Sequence, residues 1–150
     1  MRNTVIVLLF LLIATAPAWA QDKKAVPTHV PEGTSKTFRA NQEWNYAQAY
    51  RTGNLLYISG TVAAGPMDKA MDQVYKTLQA TLKQYNLDFT HVVKENLYTT
   101  NMDETAKHKD VRKKYYGTHT PAATWVQIVR LLEPNTVLEV ELIVEIKKTE

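Results

Sequence analysis

The chain has 150 residues, no cysteine, and a formal net charge of +3 from 18 basic and 15 acidic side chains. This length fits one domain that can bury a core without disulfides, and the lack of cysteine excludes iron–sulfur clusters, thiolate zinc sites and cysteine nucleophiles. The mildly basic balance alone is weak evidence for a nucleic-acid or membrane partner.

Residues 1–20 have the layout of a secretory signal peptide. Arg2 supplies a positive start, an apolar run follows at 5–14, and small residues precede the polar Gln21. The apolar run is shorter than the roughly 20 residues that cross a bilayer as a helix. We therefore predict cleavage after Ala20, a periplasmic or secreted protein, and no membrane contact after cleavage.

Residues 21–35 are polar and contain Pro27, Pro31 and Gly33, a composition that predicts a flexible lead-in to a domain spanning 36–150. The domain would open with a short strand at 37–40.

A hairpin follows: strands at 45–50 and 55–59 flank a turn at 51–54, where Gly53 can adopt a positive φ. In this prediction Ser59 and Gly60 close the second strand.

Two amphipathic helices are predicted next. Apolar residues recur every three or four positions over 67–85, with Asn86 as the terminator, and a more polar helix covers 104–116 before Gly117. A strand at 92–100 separates the two helices.

Two strands complete the domain, at 122–131 and 137–146, around a turn at 133–135. Apolar and acidic residues alternate along the last strand, so that Glu139 and Glu141 share one face. The element order β-β-β-α-β-α-β-β predicts an α+β sandwich with a mixed sheet and two helices on one face.

The segment PAATWVQIVRL at 121–131, followed by Leu138-Glu139-Val140, resembles the C-terminal signature of the RidA (YjgF) family. Tyr46-Ala47-Gln48 and the segment LYISG at 56–60 resemble the N-terminal half of that family. The resemblance runs from about 38 to 146. It implies a chorismate-mutase-like subunit and a homotrimer with its sheets packed inward and sites in the clefts between subunits.

The resemblance also implies an activity, the hydrolysis of reactive enamines and imines such as 2-aminoacrylate with release of ammonia and without metal or cofactor. By the same resemblance Glu139 is the catalytic residue that positions water. Tyr46, the Ser59-Gly60 pair and the position of Trp125 would line the substrate site.

The decisive departure from the family pattern is at position 123. The signature reads Pro-Ala-Arg, and this chain has Ala123 in place of the arginine that binds the substrate carboxylate. Losing one partner of a charged hydrogen-bonded pair costs about 2–5 kcal/mol. A second departure is Trp125, which replaces a residue that is often small in active members. The alternative is therefore a catalytically silent small-ligand-binding or protein-interaction trimer. Whether Arg51 or Lys109 replaces the arginine stays open.

Metal and nucleic-acid sites are not predicted. The four histidines are scattered without metal-ligand spacing. The basic run at 107–114 is interrupted by Asp110, which is typical of a solvated helix face, and export would separate the protein from RNA.

Overall fold

The computed structural model describes residues 46–146; the predicted signal peptide, the lead-in and the predicted strand at 37–40 lie outside that range. Five strands and three helices follow in the order β1 (Ala49–Thr52), β2 (Leu55–Ala64), α1 (Met67–Gln84), β3 (Val92–Thr99), α2 (Met102–Lys107), α3 (Lys109–Tyr116), β4 (Ala122–Gln127) and β5 (Thr136–Glu145). A short 3-10 turn, Phe89–His91, precedes β3.

The strands form one five-stranded sheet in the order β1-β2-β5-β3-β4, in which only β3 and β4 run parallel. Two crossovers contain the helices: α1 connects β2 to β3, and α2 with α3 connects β3 to β4. Because such crossovers place helices on the face of a sheet, the predicted α+β class with a mixed sheet is confirmed.

The core lies between the sheet and α1. Every second residue of β5 from Leu138 to Val144 is buried, and these side chains pack with the apolar stripe of α1. We call this the helix-covered face of the sheet. The residues between them, including Glu139 and Glu141, point to the opposite, open face. Along α1 the buried residues follow the predicted spacing.

Three predicted chain reversals are confirmed by the backbone. Gly53 in the first hairpin has φ +57°, Asn86 after α1 has φ +56°, and Gly117 after α3 has φ +60°. Each takes a left-handed conformation in which glycine and asparagine are the favoured residues.

The predicted end of the second strand at Ser59-Gly60 is wrong. Strand β2 continues to Ala64 because residues 61–64 pair with β5, and Ser59 and Gly60 form a bulge opposite Glu141. One extra residue on the bulged strand bends it locally without ending it.

The fourth predicted strand and the second predicted helix also differ from the structure. Strand β4 ends at Gln127, not at 131, because it is an edge strand paired only with β3, which itself ends at Thr99. The helix predicted over 104–116 is two helices that meet at His108, whose φ of −98° and ψ of 17° interrupt the regular turn. Asn101 caps the first of them through its side-chain oxygen.

Within residues 46–146, no helix is long and apolar enough to cross a membrane.

Candidate functional site

Four of the five predicted site residues lie together around the bulge in β2. Glu139 comes from the neighbouring strand β5, where it pairs with Val62, and Tyr46 comes from the segment before β1. Ser59 and Gly60 form the bulge, and both lie near the segment that enters β1.

Gly60 and Glu139 are in direct contact. A Cβ atom added at Gly60 would lie 1.6 Å from Glu139 Oε1 and 2.6 Å from its Cδ. The carboxylate of Glu139 therefore occupies the space that any larger residue at position 60 would need. Glycine is required here for close approach and not for a positive φ.

Hydrogen bonds fix the segment that carries Tyr46. The Tyr46 hydroxyl donates to the Gly60 carbonyl oxygen at 3.2 Å, and the Ser59 hydroxyl donates to the Ala47 carbonyl oxygen at 2.7 Å. Gln48 completes the connection, because its side-chain amide donates to the Ser59 carbonyl oxygen at 3.4 Å. Ser59 thus serves to hold the backbone in place.

The two carboxylates on this face of β5 differ in their surroundings. Glu141 accepts hydrogen bonds from Asn96 Nδ2 at 2.8 Å and from the Tyr98 hydroxyl at 3.1 Å. Among residues 46–146, by contrast, no group donates a hydrogen bond to the side-chain carboxylate of Glu139. Glu139 is half-buried with its acceptor capacity unused, while Glu141 is engaged.

Burial, and then the like charge of Glu141, raise the pKa of Glu139 above its ordinary value. Burial, and then the charge of Glu139, raise the pKa of Tyr46 in turn. Tyr46 therefore stays protonated as a hydrogen-bond donor. The arrangement offers one hydroxyl donor and one carboxylate that gains a proton more readily than an exposed glutamate.

A shallow cavity of about 180 Å³ lies beside this cluster on the open face. Ser59 and Glu141 line it together with Lys94, whose ammonium group donates to Thr124 Oγ1 at 2.5 Å. The cavity therefore runs from the bulge in β2 across β5 to β3.

Trp125 does not join the other four residues within one subunit. It pairs with Leu97 in the parallel register of β3 and β4 and contacts the core on the helix-covered face. Ala123, two residues earlier, shares that face and pairs with Glu95. Tyr46, Gly60 and Glu139 thus lie around β2 and β5, while Trp125 and Ala123 lie on the far edge strand.

Sequence reasoning missed a buried carboxylate beneath Trp125. Glu95 is fully buried, and its Oε1 accepts hydrogen bonds from Arg112 Nε at 2.8 Å and from Trp125 Nε1 at 3.1 Å. Its Oε2 accepts from the hydroxyls of Tyr75 at 3.2 Å and Tyr116 at 2.7 Å. Burial, followed by the charge of Glu95, raises the pKa of both tyrosines far above the ordinary value. A glutamate in an otherwise alternating strand was the one available signal.

No metal centre is present in the part of the chain that the structure describes: no three His, Cys, Asp or Glu side chains are grouped so that they could hold an ion.

The family model described as Endoribonuclease L-PSP, the model of the RidA/YjgF family, matches residues 16–146. The chain belongs to the RidA/YjgF family. The resemblance read from the 121–131 signature and the first hairpin is thereby confirmed.

Several RidA-family relatives are similar over most of their length. A 2-iminobutanoate/2-iminopropanoate deaminase from Dermatophagoides farinae is 27% identical over 111 residues, covering 68% of this chain and 86% of the relative. The mitochondrial protein MMF1 of Saccharomyces cerevisiae is 29% identical over 107 residues, covering 66% of this chain and 73% of the relative.

Solved RidA-family structures share the fold. RidA from the Antarctic bacterium Psychrobacter sp. superposes with a TM-score of 0.61 at 28% identity, covering 67% of this chain and 88% of that one. The crystal structure of yeast Mmf1 gives 0.63 at 28% identity, covering 68% and 87%.

Proposed function

We propose that this RidA-family protein hydrolyses small reactive enamines or imines to a carbonyl compound and ammonia. The observation that carries the proposal is the carboxylate of Glu139, which lies over Gly60 without a hydrogen-bond donor among the described residues. A carboxylate with free acceptor positions and a raised pKa suits the orientation of a water molecule.

The chemistry needs few groups. An enamine first takes up a proton at its β-carbon to give the iminium form. Water then adds to the carbon of the C=N bond and loses a proton, the resulting amino alcohol expels ammonia, and the carbonyl group remains. Glu139 would accept a hydrogen bond from the attacking water, and Tyr46 would present its hydroxyl beside the same bulge. The similarity to a named imine deaminase supports this reaction class.

We propose that the working unit is a homotrimer whose clefts combine two sets of residues. Within one protomer, β4 lies at the opposite edge of the sheet from β1. In this trimer, β4 of a neighbouring protomer brings its Ala123 and Trp125 close to Tyr46 and Glu139 of the first protomer. Light scattering of the purified protein tests this: a trimer mass supports the proposal and a monomer refutes it.

Two matched variants test the catalytic assignment. Ammonia release would be measured from 2-iminopropanoate produced enzymatically in the assay and from larger imines. We expect Glu139→Gln to lower kcat about 100-fold, since positioned acid–base groups contribute on that scale. Glu141→Gln makes the same chemical change on the same strand, and it should retain most of the activity. Equal losses in both variants would contradict the assignment.

The second candidate function is a catalytically silent trimer that binds a small ligand or a partner protein. Two observations favour it: Ala123 offers no guanidinium, and the Trp125 indole is held in the fold by Glu95. No ammonia above buffer from any imine would support this candidate. Ala123→Arg with Trp125→Cys should then restore hydrolysis of 2-aminoacrylate if only the carboxylate-binding group and space were lost. Ala122→Arg is the matched control.

We also propose export, with cleavage after Ala20. The charged, apolar and small-residue sequence of 1–20 supports it. Expression in a bacterial host, followed by fractionation and N-terminal sequencing, tests it. A mature chain that begins at Gln21 in the exported fraction supports export, and one that still begins at Met1 refutes it.

A further inference from the structure

The guanidinium of Arg112 is fixed at the junction of α3 and the edge strand β4. Its Nε donates to Glu95 at 2.8 Å, and its Cζ lies 4.3 Å from the ring centroid of Tyr116 and 5.9 Å from that of Trp125. Both aromatic contacts are within cation–π range. Arg112 therefore reaches from the helix layer to β4, the strand in which the family signature has its arginine and this chain has Ala123.

Glu95 makes this position rigid. It is fully buried and accepts four hydrogen bonds, from Arg112, Trp125, Tyr75 and Tyr116. Each oxygen of this carboxylate has two donors, so any other rotamer would break hydrogen bonds to a buried charge, which is costly. Although burial opposes the charge of Arg112, Glu95 keeps the pKa of that guanidinium above its ordinary value.

Arg112 Nε–H donates to Glu95, and the guanidinium also lies within hydrogen-bonding range of the Tyr116 hydroxyl, so two of its five N–H donors have partners in the cluster. The remaining donors belong to the two terminal amino groups, and 18% of the side chain is exposed, so solvent reaches it. Lys109 lies one helical turn earlier and is exposed, which adds positive charge on the same side of α3. The cluster thus presents unused donors at the surface of β4.

The surroundings suit a flat, negatively charged molecule. Ala123 pairs with Glu95 in the strand register and is exposed, so only a methyl group occupies that position. Trp125 lies next on the same face and offers an aromatic surface. Planar guanidinium groups bind carboxylates through two parallel hydrogen bonds, which is geometrically selective.

Two other cations have weaker claims to this role. Arg51 lies on β1 at the opposite edge of the sheet, where its Nε donates to the Gly53 carbonyl oxygen at 3.1 Å. Lys109 is a single exposed ammonium group without a planar donor pair. Within the described range 46–146, only Arg112 combines a fixed guanidinium with contact to Trp125.

We propose that Arg112 is the carboxylate-binding residue of this chain, supplied by helix α3 instead of the edge strand, and that Trp125 packs against the planar body of the bound acid. The inference deepens the proposed function and rests on it for the class of substrate, a small unsaturated acid. In this arrangement Glu95 is a positioning residue, because it acts through Arg112 and Trp125.

Benzoate and its neutral analogue benzamide are suitable probes, since both are planar and only one carries the charge. Binding would be measured by calorimetry and by the NMR shift of the Trp125 indole N–H, assigned with Trp125→Phe. We expect benzoate to bind the wild-type protein at least tenfold more tightly than benzamide. The double variant Glu95→Gln with Arg112→Gln keeps the cluster neutral and hydrogen-bonded, and it should lose that preference while its affinity for benzamide stays within about twofold.

Lys113→Gln is the matched control, because it removes one positive charge from the neighbouring position of α3, where the side chain is exposed. It should leave the benzoate preference intact. A preference that survives in the Glu95→Gln, Arg112→Gln protein, or wild-type protein that does not prefer benzoate, would overturn the inference. The result is separate from turnover: benzoate binding that depends on Arg112 in a protein that releases no ammonia would refute the proposed hydrolysis and retain this subsite.

Discussion

Because Gly60 and Glu139 are in contact, the effect of Gly60→Ala on the free energy of unfolding should depend on whether the Glu139 side chain is present. In Gly60→Ala the new Cβ would lie 1.6 Å from Glu139 Oε1, so the carboxylate must move by roughly 2 Å to reach an ordinary contact distance of 3.4 Å. Overpacking of this kind costs about 1–3 kcal/mol. Alanine otherwise favours folding by about 0.4–1 kcal/mol, because it restricts the unfolded chain. From the midpoints of these two ranges, the net loss in the free energy of unfolding should be about 1.3 kcal/mol.

Removing the carboxylate reverses the expected sign. In a Glu139→Ala background the space above position 60 is empty, so Gly60→Ala should be neutral or stabilising by up to about 1 kcal/mol. Urea unfolding at one fixed protein concentration measures all four proteins of this cycle. Gly53→Ala serves as the control, since it has φ +57° and nothing within 4 Å. Its strain penalty should be the same in both backgrounds.

An equal effect of Gly60→Ala in both backgrounds would refute the reasoning. It would mean that Glu139 does not rest on the bulge when the protein is in solution, and the proposed water-positioning role would lose its geometric basis. If Glu139 makes room for the new Cβ by moving about 30° off its rotamer, the cost in stability is only about 0.5–1.5 kcal/mol. The kcat of Gly60→Ala should nevertheless fall, because the carboxylate no longer lies over the bulge.

Three further outcomes are expected. Burial, and then the charge of Glu141, raise the pKa of Glu139 in the folded state above the unfolded value of 4.5. Its contribution to stability is therefore present below pH 4.5 and falls as pH rises through the folded pKa. The urea midpoint of wild type minus that of Glu139→Gln should decrease with rising pH, and an increasing difference would contradict this. Arg112→Met leaves the Glu95 charge buried with three donors and should lower the free energy of unfolding by about 3 kcal/mol. Glu95→Gln in the same chain should restore part of this loss, since it removes the unpaired charge and keeps an acceptor for those donors. Leu78→Ala in the fully buried stripe of α1 should cost about 2–5 kcal/mol in urea unfolding, and a loss below about 1 kcal/mol would contradict the packing.

The sequence predicts the fold closely where periodicity and special backbone conformations carry the information. The spacing of apolar residues along 67–85 predicts α1 to within one residue, since burial of that stripe stabilises the helix. Gly53, Asn86 and Gly117 mark the reversals correctly because few residues tolerate their φ values. The alternation along the last strand correctly separates the helix-covered from the open face.

The errors arise where a distant strand decides the outcome. Nothing in Ser59-Gly60 itself shows that residues 61–64 continue to pair with β5, because a glycine suits a bulge as well as a turn. The end of β4 at Gln127 is likewise set by where β3 stops and not by its own apolar residues.

The candidate site was predictable only in part for the same reason. The resemblance brings Tyr46, Gly60 and Glu139 together correctly, and their contacts are local to adjoining strands. The contact of Trp125 with Glu95 joins positions 30 residues apart across a parallel pair, so spacing along the chain carries no sign of it. Arg112 was one of five cations in a basic run, and only its packing distinguishes it.

The Glu95 cluster also constrains which substitutions can accumulate in this sequence. A small residue at position 125 would remove one donor from a buried carboxylate, and a neutral residue at 112 would remove its counter-charge. Loss of the carboxylate at 95 is costly as well, because it leaves the Arg112 charge and the donors of Trp125 and two tyrosines without their acceptor. Relatives with a small residue at position 125 should therefore lack a glutamate at 95, and sequences that carry the tryptophan should retain all three residues as a unit.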